Sequence, residues 1–158
     1  MSTNDIYLGN PNLKRANTPH EYTENQVIEF LKCKEDPVYF AKNYIQIVSL
    51  DHGLVPFKLY DFQEKLITRF HENRFNICKM PRQTGKSTTC VAYLLHYAVF
   101  NDNVNIAILA NKASTARDLL GRLQLAYENL PTWMQQGVIS WNKGSLELEN
   151  GSKISSNS

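Results

Sequence analysis

Between Lys79 and Thr89 the chain reads KMPRQTGKSTT, and its Gly85, Lys86 and Ser87 stand in the order that closes a phosphate-binding loop. Each residue type has a chemical reason to be there. Gly85 lets the backbone approach an anion closely, and the N–H groups that follow deliver phosphate oxygens to a helix N-terminus. Lys86 is a point charge of the right length for the β- and γ-phosphates of ATP, Ser87 offers its hydroxyl to Mg²⁺, and Thr88 can reach the α-phosphate. Thr89 reads equally well as an ordinary helical residue. The residues Pro81, Arg82, Gln83, Thr84, Gly85, Lys86, Ser87 and Thr88 are therefore the candidate nucleotide contacts. The full pattern opens with a further glycine, and Met80 stands in its place. Pro81 can preset the turn that this glycine would ease.

Two residues near the loop carry open readings. Arg82 is either a solvated loop residue or a guanidinium near the γ-phosphate, placed to offset the charge that grows there during transfer. Upstream, Gln63 in LYDFQEKL has an amide that can both donate to and accept from adenine, or it is a plain exposed helical glutamine.

Such a loop needs a strand before it and a helix after it. RFNICKM (74–80) is β-prone, and KSTTCVAYLLHYAVF (86–100) repeats Val91, Leu94, Leu95 and Ala98 at helical spacing. VNIAILA (104–110) is the apolar run of a parallel strand buried on both faces. A second amphipathic helix follows, with Ala116, Leu119, Leu120, Leu123 and Leu130 turned inward. The order strand, loop, helix, strand, helix predicts an α/β fold with a doubly wound parallel sheet, a partial P-loop NTPase of the RecA or helicase kind. Asn150-Gly151 inside SLELENGSKIS predicts a β-hairpin near the C-terminus, with positive φ at both turn positions. Before the core, residues 1–22 read as an extended arm and 23–56 as a helical segment. In that segment Thr23 and Gln26 form a capping box, Val27, Ile28, Phe30 and Leu31 form one face, and Pro37 opens a second helix. Asp61 and Glu64 read as the capping box of a third helix, with Phe62, Leu66, Ile67 and Phe70 on one side, and residues 57–158 read as the front of the ATPase domain.

The bulk properties narrow the classes. With 158 residues and 42% hydrophobic content the chain can fill a core unaided. Its three cysteines, Cys33, Cys78 and Cys90, are odd in number and without metal-ligand spacing, which points to free thiols in a reducing compartment. The four histidines are scattered, so a metal cluster is not expected, and Trp133 and Trp141 read as packing residues. A net charge of +2 gives no nucleic-acid footprint, and no apolar run is long enough to span a bilayer.

PRQTGKSTT resembles the variant Walker A loop of tailed-phage large terminases, the DNA-packaging motor proteins, and in particular their T-even-like myophage branch. YLGNPNLKRAN, LYDFQEKL, LANKASTA and SWNKGSLELENGSKI resemble segments of that branch in the same order, so the likeness runs from Tyr7 to Ser158. The resemblance implies an ATP- and Mg²⁺-dependent motor that drives viral double-stranded DNA into a procapsid. It would work in the host cytoplasm, as a homo-oligomeric ring at the portal protein and with a small terminase subunit. It makes Gln63 the adenine-contacting glutamine, Lys86 the Walker lysine, Ser87 the magnesium ligand and Arg82 an arginine finger supplied in cis. The family's acidic Walker B strand, coupling motif and metal-dependent nuclease domain have no counterpart here, so the chain resembles the front part of a terminase, expected to bind ATP better than it hydrolyses it. A strand expected beside FNICKM would be among the missing parts. Two other readings share these residues: a superfamily 2 helicase fragment, and a nucleotide-binding assembly module without catalysis.

Overall fold

A computed structural model describes residues 5–49 and 51–157 as a mixed α/β structure. Residues 1–4 of the expected arm, and Ser158 at the end of the terminase-like stretch, lie outside the described residues. The remainder of that arm is folded: β1 (Ile6–Tyr7) and β2 (Asn10–Lys14) pair antiparallel, and Arg15 bridges to Val138. Leu13 is buried in the core, which explains why a stretch rich in Asn and Pro is nonetheless ordered.

The caps written in the sequence set the next two helices. In α1 (Glu24–Glu35) the Gln26 N–H donates to Thr23 Oγ1 at 3.3 Å and the Thr23 N–H to Gln26 Oε1 at 3.1 Å. In α2 (Pro37–Tyr44) Asp36 Oδ1 accepts from the N–H groups of Val38 and Tyr39, both at 2.9 Å, and Pro37 takes the first turn. Of the α1 face formed by Val27, Ile28, Phe30 and Leu31, Val27, Ile28 and Leu31 are exposed, and the helix seats itself through Phe30 and Cys33. Within residues 23–56, read as a helical segment, β3 (Gln46–Ser49) and β4 (Gly53–Pro56) instead pair antiparallel as a hairpin, with Leu50 outside the described residues.

Three further helices, α3 (Asp61–Glu72), α4 (Lys86–Phe100) and α5 (Ala113–Glu128), frame the core. α4 lies centrally, packing on α5, α3 and α2, with Val91, Leu95 and Ala98 buried as the periodicity predicts. The four-stranded sheet is built from β5 (Asn105–Leu109), β6 (Val138–Trp141), β7 (Ser145–Leu148) and β8 (Lys153–Asn157) in the order β5-β8-β7-β6. Only β5 and β8 run parallel, so the described sheet is mixed where a wholly parallel one was expected.

Three local expectations fail for identifiable reasons. RFNICKM forms no strand: no described strand lies alongside it to complete a hydrogen-bond ladder, and Phe75 and Ile77 are exposed. β5 alternates between buried Ile106 and Ile108 and exposed neighbours, because one face alone is covered among the described residues. The turn after β7 is longer than two residues, and of Asn150 and Gly151 only Gly151 has positive φ, at +80°. Gly151 N–H closes on Leu148 O at 3.0 Å, and Asn150 Nδ2 instead anchors the turn to α4 by donating to the carbonyls of Ala98 (2.8 Å) and Asn101 (3.0 Å).

A buried polar node ties the N-terminal hairpin to the core. Gln135 Oε1 accepts from Lys14 N–H at 3.0 Å, while Nε2 is shared among the carbonyls of Asn12 (2.9 Å), Leu130 (3.1 Å) and Tyr127 (3.2 Å). Glu149 completes it from the sheet, accepting from Gly137 N–H and Asn17 N–H, each at 2.8 Å. Among the described residues no helix is long and apolar enough to cross a membrane.

One buried base makes the fold acid-sensitive. His96 on α4 is 1% exposed, its Nε2 lies 2.8 Å from Cys33 O, and its Nδ1 has no hydrogen-bond partner. Burial among the rings of Phe40, Phe100 and Tyr93 holds it neutral and pushes its pKa down from 6.5 to about 4, with His71 adding to the fall. The folded value lies below the unfolded one, so protonation favours unfolding: the contribution is intact above pH 6.5 and is lost as pH falls towards 4. Urea unfolding should therefore show stability falling by about 2 kcal/mol between pH 7 and pH 5 from this group, and His96→Leu should flatten that slope.

Candidate nucleotide site

The loop of residues 80–85 delivers the chain to the N-terminus of α4. Gln83 (φ +62°) and Gly85 (φ +74°) both adopt left-handed backbone, and Gly85 is the N-cap. Such reversals aim successive N–H groups into one concavity, the arrangement that receives an anion at a helix start. Thr84 Oγ1 braces the turn by donating to Pro81 O at 3.1 Å.

Lys86 Nζ folds back across the loop, donating to Pro81 O at 2.6 Å and Met80 O at 3.0 Å. Met80 thus contributes through its carbonyl, a role for which the side chain at the expected glycine position is immaterial. Ser87 is exposed on the first turn of α4, Thr88 is half-buried, and Arg82 is exposed with no side-chain partner among the described residues. Thr89 is buried and donates from Oγ1 to Gly85 O at 2.9 Å, so its side chain is tied into the helix start.

Gln63 lies beneath the same loop. It is 3% exposed, its Oε1 accepts from Tyr60 N–H at 2.9 Å, and its Nε2 donates to Thr84 O at 3.4 Å. The third helix therefore begins one residue earlier than the Asp61 and Glu64 reading: Tyr60 is the N-cap and Gln63 supplies the return bond. Gly85 is pressed against this amide, because a Cβ there would fall 2.6 Å from Gln63 Nε2.

Beside the loop opens a cleft of about 730 Å³, bounded by Gln83, Thr84, Gly85 and Thr88 on one side and by the β3–β4 hairpin on the other. Ile47 and Val55 give that wall an apolar surface, and Tyr60 and Phe62 stand at its edge with rings stacked 5.8 Å apart and 8° from parallel. Both rings are exposed, so they offer aromatic surface to a flat partner. The lining carries Lys58 and His52 and, among the described residues, no carboxylate, which favours an anionic guest.

Of the predicted site residues, Gln63, Gln83, Thr84, Gly85 and Thr88 line this cleft, whereas Pro81, Arg82, Lys86 and Ser87 belong to the same loop and helix start but not to the cleft's lining. Sequence reading missed the hairpin wall and the Tyr60–Phe62 pair. The signal was present: β-branched or apolar pairs Ile47-Val48 and Leu54-Val55 flank Asp51-His52-Gly53, and Gly53 has φ +68°. Among the described residues no group of three or more His, Cys, Asp or Glu is arranged to hold a metal ion. Near Lys86, burial pushes the Cys90 thiol up, with Cys78 adding to the rise and Lys86 opposing it. No family model matches the chain.

Proposed function

We propose that this chain grips ATP with Mg²⁺ through residues 80–88 as the nucleotide-binding portion of a P-loop NTPase, in a DNA-packaging motor of the tailed-phage large terminase kind. The observation that carries the reading is the left-handed backbone at Gln83 and Gly85 feeding directly into α4, with the Lys86 ammonium lying across the loop. The phosphates would displace the carbonyls of Met80 and Pro81 as partners of Lys86, exchanging neutral acceptors for charged ones. Ser87 would hold Mg²⁺ from this chain through its hydroxyl, and the ion would supply positive charge against the phosphates. Thr88 faces the cleft and would meet the α-phosphate side, and the base would lie towards Tyr60, Phe62 and the hairpin. Arg82 is exposed beside the loop and would swing to the γ-phosphate.

Binding and turnover separate on this reading. Hydrolysis needs a group that positions and deprotonates water, and the cleft's lining offers no carboxylate among the described residues. Purified chain should bind Mg·ATP, by fluorescence titration, yet release phosphate no faster than the buffer background. Steady turnover that disappears in Lys86→Ala would contradict the division. DNA, the portal protein and the small terminase subunit remain the partners this reading proposes.

A further inference from the structure

The amide of Gln63 is committed on both sides. Its carbonyl oxygen holds the Tyr60 N–H that starts α3, and its nitrogen donates to Thr84 O, inside a pocket that leaves the residue 3% exposed. Reading adenine through an amide takes both the oxygen and the nitrogen presented together to one edge of the base. Here they point at two backbone groups of the protein itself.

The bond to Thr84 has a geometric consequence. In a trans peptide the C=O and the following N–H point in opposite directions, so a carbonyl drawn towards Gln63 turns the Gly85 N–H away from α3. Thr84 is followed by Gly85, whose missing Cβ leaves the Thr84–Gly85 peptide less sterically fixed than one before any other residue. The clamp is close as well as directed, since only glycine at 85 leaves room for Gln63 Nε2. Ile67, one turn further along α3 and fully buried, fixes the helix from which the clamp is held.

We propose that Gln63 is a positioning residue for the phosphate loop, orienting the Thr84–Gly85 peptide for anion binding, and not a reader of the base. The proposal rests on the nucleotide reading above. It predicts that Gln63 acts on every ligand carrying a polyphosphate, whatever base is attached.

The test titrates wild type, Gln63→Glu and Gln63→Met with Mg²⁺ and the N-methylanthraniloyl derivatives of ATP and GTP, using inorganic tripolyphosphate as competitor. Gln63→Glu keeps an acceptor for Tyr60 N–H but sets an acceptor against Thr84 O; Gln63→Met keeps the length and loses both bonds. Both should weaken all three ligands by the same factor, about tenfold, for one lost oriented hydrogen bond. Partial unfolding would lower the number of sites without moving the Kd of those that remain, so the two quantities are read separately. Loss confined to the ATP derivative, with tripolyphosphate unchanged, would overturn the proposal and leave the nucleotide site standing. Unchanged affinity for all three would also overturn it. If wild type itself bound none of the three, the nucleotide reading would fail first.

Discussion

Replacing Lys86 with alanine is expected to weaken Mg·ATP binding by about 100-fold, equivalent to about 2.7 kcal/mol. The ammonium lies over the loop on the carbonyls of Met80 and Pro81, so it needs only a short swing to reach phosphate. The swing replaces neutral carbonyl acceptors with anionic phosphate oxygens, and the alanine variant forfeits that ion–ion attraction. The fold should hardly notice. Met80 and Pro81 lie at the surface of the loop, where water replaces Lys86, so the thermal midpoint should move by no more than the equivalent of about 1 kcal/mol. Lys86→Arg is not expected to rescue binding, because a planar guanidinium cannot substitute for a compact ammonium at a close point contact. Fluorescence titration, paired with a thermal melt, checks both halves. A lost melt transition together with lost binding would mean that Lys86 holds the fold and not the ligand.

Gly85→Ala should do more damage, because it acts on the backbone and on Gln63 at once. At φ +74° an alanine carries left-handed strain of about 1–2 kcal/mol. Its Cβ would also fall 2.6 Å from Gln63 Nε2, which forces the amide off Thr84 O and forfeits a further hydrogen bond worth about 1 kcal/mol. Destabilisation of about 2–3 kcal/mol is expected in urea unfolding, with nucleotide affinity falling below detection as the loop loses its concavity. A double variant that also carries Gln63→Ala removes the clash but also the bond to Tyr60 N–H, so it should recover neither stability nor binding. Full stability in Gly85→Ala would show that the loop adopts a different backbone in solution.

How far the sequence spoke for itself differed by element. Caps were legible because they are local: Thr23 with Gln26, and Asp36 with Pro37, need only neighbours a few residues away. The turn into α4 was legible for the same reason, since Gly85 and the helical run that follows it are neighbours in sequence. The helix start at Tyr60 was misread by one position, because Asp61 and Glu64 fit the spacing rule as well as Tyr60 and Gln63 do, and only the buried amide decides between them. RFNICKM shows the opposite limit. Its composition favours a strand, but a strand is a property of two chains in register, and no described segment pairs with it. Val27, Ile28 and Leu31 stay exposed for a related reason: an apolar helical stripe says that a face exists, not which neighbour reaches it. The Gln135 node was invisible because its partners, Asn12 and Lys14, lie at the far end of the chain.

The central claim is that the loop from Met80 to Thr88 receives a nucleotide's phosphates. A two-dimensional ¹H–¹⁵N NMR titration with Mg·ATP tests it residue by residue. Saturable shifts are expected at the backbone amides of Gln83, Gly85, Lys86, Ser87 and Thr88, with the Gln63 side-chain amide moving in step. Shifts confined to other surfaces, or a loop that stays unmoved at saturating nucleotide, would contradict the account.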